Sequence, residues 1–293
     1  DKSGNFVIEP QYNMAIPFNE GLAPVMMGAA EYGKWGFIDT SGQMVIDFKY
    51  DKVRGFYEGL CPVRIGDDKS GKWSFIDKND NVVINADYDD ASIFVDGLAP
   101  VKFTDDKSGK YGYIDRDANI IIEPKFEIAS IYSEDLALYG EGTNVKTGFI
   151  DRKGNIVIEA QYAYCAAFSE GLSAVKVSSE DKSDWGFINT KGELVIEPQY
   201  AWAGSFSEGL APVNIGDSRD GKWGFMNKDG EMVIEAKFDH AFSFSEGLAA
   251  VRTGDENTGK WGYIDKTGAY VIEPQFNAAL EFSEGLAAAS IEN

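Results

Sequence analysis

Apolar and polar positions alternate over short runs along the whole chain, and no apolar stripe at 3.6-residue spacing lasts long enough to specify a helix. Three tracts carry the pattern. F-S-E-G-L-A-P-V recurs with its Gly slot at Gly21, Gly59, Gly97, Asp135, Gly171, Gly209, Gly247 and Gly285. Successive copies are 38 residues apart, except for 36 after Asp135. K-W-G-F-I-D begins at Lys34, Lys72, Lys110, Lys146, Asp184, Lys222 and Lys260. V-I-E-P ends at Pro10, Phe48, Ala86, Pro124, Ala160, Pro198, Ala236 and Pro274. Each tract is rich in β-branched and aromatic residues, so each repeat predicts three short strands.

The connections are equally regular. Asp-Thr-Ser-Gly at 39–42, Asp-Arg-Lys-Gly at 151–154 and Asn-Lys-Asp-Gly at 227–230 predict a type I turn closed by a glycine bulge. Asp80 and Ala118 occupy that Gly slot in two repeats. Alanine tolerates positive φ poorly, so the turn around Ala118 is expected to be looser or reshaped. An acidic hairpin loop joins the first and second strands, as at 66–71. The linker after the third strand, such as 199–208, is expected to hold a fourth, outer strand or one helical turn. The Trp slot reads Trp35, Trp73, Tyr111, Thr147, Trp185, Trp223 and Trp261, followed by Gly in all but Ser74. A Trp beside a residue without Cβ suggests close packing between neighbouring sheets.

A lone repeat of this size cannot bury its apolar face, so neighbours must stack. The expected fold class is all-β, a propeller-like array of seven to eight blades spanning 1–293; the alternative is an open β-solenoid of stacked hairpin units. The chain starts at the turn after a missing W-G-F-I strand and stops just before another. It therefore reads as a single array within a longer chain, whose unpaired strand edges could support end-to-end self-association.

The three recurring tracts resemble the WG-repeat, or KWG-repeat, family of bacteria over essentially the whole chain. The departures are Tyr111, Thr147 and Ser74 in the namesake pair and Asp135 in the Gly slot. The resemblance implies a modular bacterial array, often on or outside the cell, and no particular reaction.

Charge narrows the partners. In 293 residues, 48 Asp and Glu stand against 27 Lys and Arg, a net charge of -21. Such a surface repels phosphate backbones and anionic membranes, so neither nucleic acid nor membrane insertion is expected. Two Cys and one His build neither a disulfide framework nor a Cys/His metal centre. Cys61 and Cys165 stand in Ala slots and read as buried small residues. His240 has no second His for a triad and reads as a tolerated surface residue.

Carboxylates recur at Glu20, Glu58, Asp96, Glu134, Glu170, Glu208, Glu246 and Glu284. A second set holds Glu9, Asp47, Glu123, Glu159, Glu197, Glu235 and Glu273. A pair of them could act as in glycoside cleavage, but a group present in every repeat is expected to serve the repeat, by accepting turn N–H bonds or pairing with the strand Lys. The hairpin tips Asp67-Asp68, Asp105-Asp106, Asp217 with Asp220, and Asp255-Glu256 offer oxygens suited to calcium, without the spacing of a calcium loop. No metal, cofactor or catalytic residue is expected.

The sharper signal is variation inside a constant frame. Two residues past the aromatic that ends the third strand, the chain holds Met14, Lys52, Asp90, Ile128, Tyr164, Trp202, His240 and Ala278. A slot accepting Lys, Asp and Trp is not core. Tyr164, Trp202 and His240 occupy it in three consecutive repeats, with Phe242 two residues further on. Exposed aromatics at regular spacing would form a platform for a glycan or a protein partner. The shorter loop at Tyr139–Val145 is a second asymmetric feature. The expected function is a non-enzymatic scaffold binding such a partner. The rivals are a glycan-active enzyme using two recruited carboxylates and a purely structural spacer.

Overall fold

The computed structural model describes residues 1–29, 32–67, 70–103, 109–142, 145–178, 184–216 and 221–291. Among these residues there is no helix. The strands form seven four-stranded sheets, at 14–50, 52–88, 90–126, 128–162, 164–200, 202–238 and 240–276, followed by a two-stranded one at 278–290. This is the β-propeller class rather than a stack of hairpins. The sixth sheet is representative: Trp202–Ala203, Ala211–Ile215, Lys222–Met226 and Met232–Phe238 hydrogen-bond in that order, each antiparallel to the next.

The linker strand exists and belongs to the following tract; it is only two residues long except in the fourth blade, where it runs Ile128–Ser133. Trp202 lies opposite Asn214 and Ala203 opposite Val213. A single residue therefore separates each blade from the next. Between these first two strands the chain turns through Ser-Glu-Gly-Leu. Ser207 and Leu210 exchange both backbone hydrogen bonds, while Glu208 and Gly209 have φ of 55° and 87°. Two consecutive positive φ values define a type I′ turn, in which Glu stands where Asn or Asp is usual.

The turn between the third and fourth strands of each blade is as expected. Asn227 accepts from the Gly230 N–H, while its side chain accepts from the Asp229 and Glu231 N–H groups. The turn at Ala118 is a correction. It keeps the same bonds, with the Ala118 N–H on the Asp115 carbonyl and Ala118 at φ 63°. The Asp115 side chain, bonded to the Asp117 and Asn119 N–H groups, holds the frame despite the alanine.

The Gly of the W-G pair is also explained differently from the expectation. A Cβ on Gly224 would meet the Ile234 carbonyl oxygen at 2.5 Å, inside its own sheet. The fourth strand arches over this residue, as the register shift between Trp223↔Phe238 and Phe225↔Ile234 records.

Neighbouring blades do share their cores. Trp185, Phe187, Ile196 and Tyr200 of the fifth blade form one cluster with Ala203, Phe206, Ala211 and Val213 of the sixth. The Phe of W-G-F packs on the Phe of F-S-E-G in the next repeat, with ring centroids 5.1 Å apart for Phe187–Phe206 and 4.9 Å for Phe225–Phe244. Contacts divide the chain into two units, one of residues 1–10, 146–148 and 157–293, the other of 11–145 and 149–156.

Candidate functional site

Pairing across a blade sets three side chains on one face. In the sixth blade Trp202 lies opposite Asn214, and Asn214 opposite Trp223. The seventh has His240, Arg252 and Trp261 in the same places, and the fifth Tyr164, Lys176 and Trp185. The first member is the variable slot singled out from the repeat. It is exposed at Met14, Lys52, Ile128, Tyr164, Trp202 and Ala278, and half-buried at Asp90 and His240. The middle member varies as well: Met26, Arg64, Lys102, Gly140, Lys176, Asn214, Arg252 and Ser290. Sequence reasoning overlooked this second slot. Its variation is visible in the sequence, because the residue directly after A-P-V changes while the one before it is Val in six of eight copies; which side chains it faces is not.

The Trp of each W-G pair lies under this face, and in the fifth to seventh blades it is buried. It carries the variable aromatics. Tyr164 stacks on Trp185 at 6.4 Å, and Trp202 lies against the same indole at 5.1 Å. His240 stacks on Trp223 at 5.0 Å and meets Trp261 at 5.3 Å, while Phe242 stacks on Trp261 at 5.1 Å. His240 is therefore wedged among rings rather than being an ordinary surface residue. Burial, aided by Arg252, lowers its pKa, so it is neutral at pH 7. Trp202 remains 53% exposed and Tyr164 57%.

Between the sixth and seventh blades the face opens into a cleft of about 1,100 Å³, with Trp202, Trp223, His240 and Phe242 along its walls. Gly204 helps to open it. The equivalent residue in the seventh blade is Phe242, which covers Trp261, and in the second it is Arg54, whose guanidinium lies 5.1 Å over Trp73. Gly204 sends no side chain there. The polar lining falls into two groups. Lys222 and Asp239 pair with each other, and the Gly254 N–H also donates to Asp239. By contrast, Asn214 Oδ1, His240 Nδ1 and Arg252 Nε are buried and have no hydrogen-bond partner among the described residues. Glu281, exposed as a residue, accepts from the Ser243 N–H, and partial desolvation of its carboxyl in the cleft pushes its pKa up.

The carboxylate rings do structural work. Glu208 accepts from the Gly247 N–H of the next blade at 2.9 Å and pairs with Lys266 at 2.9 Å. Glu170 does the same with Gly209 and Lys228, and Glu20 with Gly59 and Lys78. The Lys comes from the Asp-x-x-Gly turn; the Lys of K-W-G pairs instead with an acid after the fourth strand, as Lys222 does with Asp239. The V-I-E-P set stands exposed at Asp47, Glu123, Glu159, Glu197, Glu235 and Glu273, without turn N–H bonds. Of the hairpin-tip acids, Asp68, Asp105, Asp106, Asp217 and Asp220 lie outside the described residues, as do residues 143–144 of the shortened loop. Among the described residues no three His, Cys, Asp or Glu cluster as metal ligands. Both thiols are free, and burial pushes each up to about 12.

The sequence profile of the WG containing repeat family matches eight segments: 1–29, 35–69, 73–107, 111–142, 148–179, 185–218, 223–256 and 261–293. No curated protein matches the chain. Among solved structures, the β-propeller domain of the Trilobed protease from Pyrococcus furiosus aligns over 90% of this chain and 99% of that one, with a TM-score of 0.57 at 10% identity. Kluyveromyces lactis Hsv2p aligns over 83% and 89%, with a TM-score of 0.52 at 10% identity. The acylaminoacyl peptidase of Pyrococcus horikoshii aligns over 90% of this chain but 53% of its own, at 0.52 and 12% identity, so the chain spans about half of that enzyme. At these identities the likeness is one of fold, and the fold is a propeller.

Proposed function

Because this chain belongs to the WG repeat family, we propose that it is a non-catalytic propeller scaffold that recognises a partner through the residues varying within its constant frame. Tyr164, Trp202, His240 and Phe242 form the contact surface. One observation carries this reading: two large aromatics, Tyr164 and Trp202, keep more than half their surface in water although the buried indole of Trp185 braces both. Holding an aromatic ring rigid and wet serves binding more than stability, because little conformational entropy remains to be lost on contact.

The glycosidase rival is the weaker reading, because the repeated carboxylates are tied to backbone N–H groups and lysines or stand spread along exposed strands. Alanine at Tyr164 and at Trp202 tests the proposal. Each variant should lose at least tenfold in partner binding, measured on immobilised glycans and peptides, with a melting temperature within about 3 °C of the parent. Unfolding of both variants, or unchanged binding, would reject the contact surface.

A further inference from the structure

We infer that the cleft between the sixth and seventh blades binds an uncharged saccharide chain, a reading that rests on the partner-binding proposal and narrows it to one ligand class. Three features converge. The first is the pairing of flat apolar rings with uncommitted polar atoms. Trp202 offers an exposed indole face suited to the apolar side of a hexose ring. Beside it Asn214 is only 7% exposed, yet its Oδ1 has no hydrogen-bond partner among the described residues. A buried, unmade hydrogen bond costs about 1–3 kcal/mol, which is a reason to look for the missing donor in a ligand.

The second feature is the mixture of polar roles. Asn214 Oδ1 and the Glu281 carboxylate accept, Arg252 only donates, and a neutral His240 ring nitrogen does one or the other. A sugar hydroxyl both donates and accepts, so a run of hydroxyls meets the needs of Asn214, Arg252 and His240 together where a group of fixed polarity would not; Glu281 already accepts from the Ser243 N–H. Elsewhere the middle slot holds a cation four times, at Arg64, Lys102, Lys176 and Arg252, and otherwise Met26, Gly140 or Ser290; a neutral amide between two indoles occurs in the sixth blade.

The third feature is charge and size. Asp239, Asp255, Glu256 and Glu281 outnumber Lys222 and Arg252 in the lining, and on a chain of net charge -21 this surplus of acids disfavours uronate or sulfate groups. At about 1,100 Å³ the cleft lies at the upper end of small-molecule sites, which suits several rings rather than one.

The test is a printed glycan array probed with the labelled full chain, followed by titration of the retained oligosaccharides with indole fluorescence as readout. Retention is expected on neutral hexose or N-acetylhexosamine oligomers. Asn214→Leu, which keeps the γ-branched shape and removes both hydrogen-bonding groups, should weaken that binding at least tenfold without lowering the melting temperature. Trp202→Ala should do likewise and also remove the fluorescence change. Retention only on uronate or sulfated glycans, or neutral-glycan binding untouched by both variants, would overturn the inference. A parallel peptide-display selection separates the two levels. If the array is silent and displayed peptides are captured only when Trp202 is present, the saccharide class falls and the partner-binding surface stands. If nothing captured in either format depends on Trp202, both fall.

Discussion

Ala118 and Asp80 hold equivalent places, with φ of 63° and 68° in a slot that is otherwise glycine, yet they call for opposite predictions. Positive φ costs an alanine about 1–2 kcal/mol, so Ala118→Gly should stabilise the protein by about 1 kcal/mol in urea unfolding. Asp80 offsets its strain: Tyr50 donates its hydroxyl to it at 2.6 Å, and Lys49 pairs with it. Asp80→Gly should therefore bring no gain and lower the unfolding midpoint. Single positions were legible in the sequence where identity changed against a fixed neighbourhood, as at Tyr164, Trp202 and His240. Asn214 was not, because its role depends on which residue lies across the strand, and register cannot be read from one strand alone.

At the scale of the element, the strand tracts and the Asp-x-x-Gly turns were plain from composition and period. That the linker holds a strand rather than a helical turn, and that this strand opens the next blade, was not, since two residues carry no periodicity. Nor was the Glu-Gly turn, because Glu is an unusual choice for positive φ; its carboxylate is held by the next blade. Burial alone would raise the pKa of Glu208, but the Gly247 N–H and Lys266 outweigh it and hold the group below its ordinary 4.5. Glu170 and Glu246 are lowered in the same manner. A folded-state pKa below the unfolded one stabilises above the ordinary value and is lost as pH falls through the folded value. Glu208→Gln should thus lower the urea midpoint at pH 7, and the difference from the parent should disappear as pH falls well below 4.5. Gly224→Ala is a sharper test of the strand crossing. With a backbone oxygen 2.5 Å from the new Cβ, it should cost about 1–3 kcal/mol by urea unfolding.

For the molecule as a whole, the repeat count predicted propeller blades, while the way the first residues are used came only from three dimensions. The opening Asp1–Gly4 turn sits against the seventh blade. The Cβ position of Gly4 approaches Ile272 just as that of Gly268 approaches Ile234, and Lys2 pairs with Glu246 at 3.0 Å as Lys266 does with Glu208. Phe6 lies edge-on to Phe276 at 6.3 Å. Deleting residues 1–10 should lower the melting temperature by several degrees, whereas Lys2→Ala alone should cost less than about 1 kcal/mol, as an exposed ion pair would.

This docking also imposes an order of events on synthesis. The ribosome releases residues 1–10 some 250 residues before the blade that receives them. Until then Phe6 has no ring to rest on and Lys2 no Glu246 to pair with. The loop to be closed runs from residues 1–10 to the seventh blade at 240–276, so this step should be the slow one in refolding, and a nascent chain stalled before residue 260 should remain open to proteases at residues 1–10.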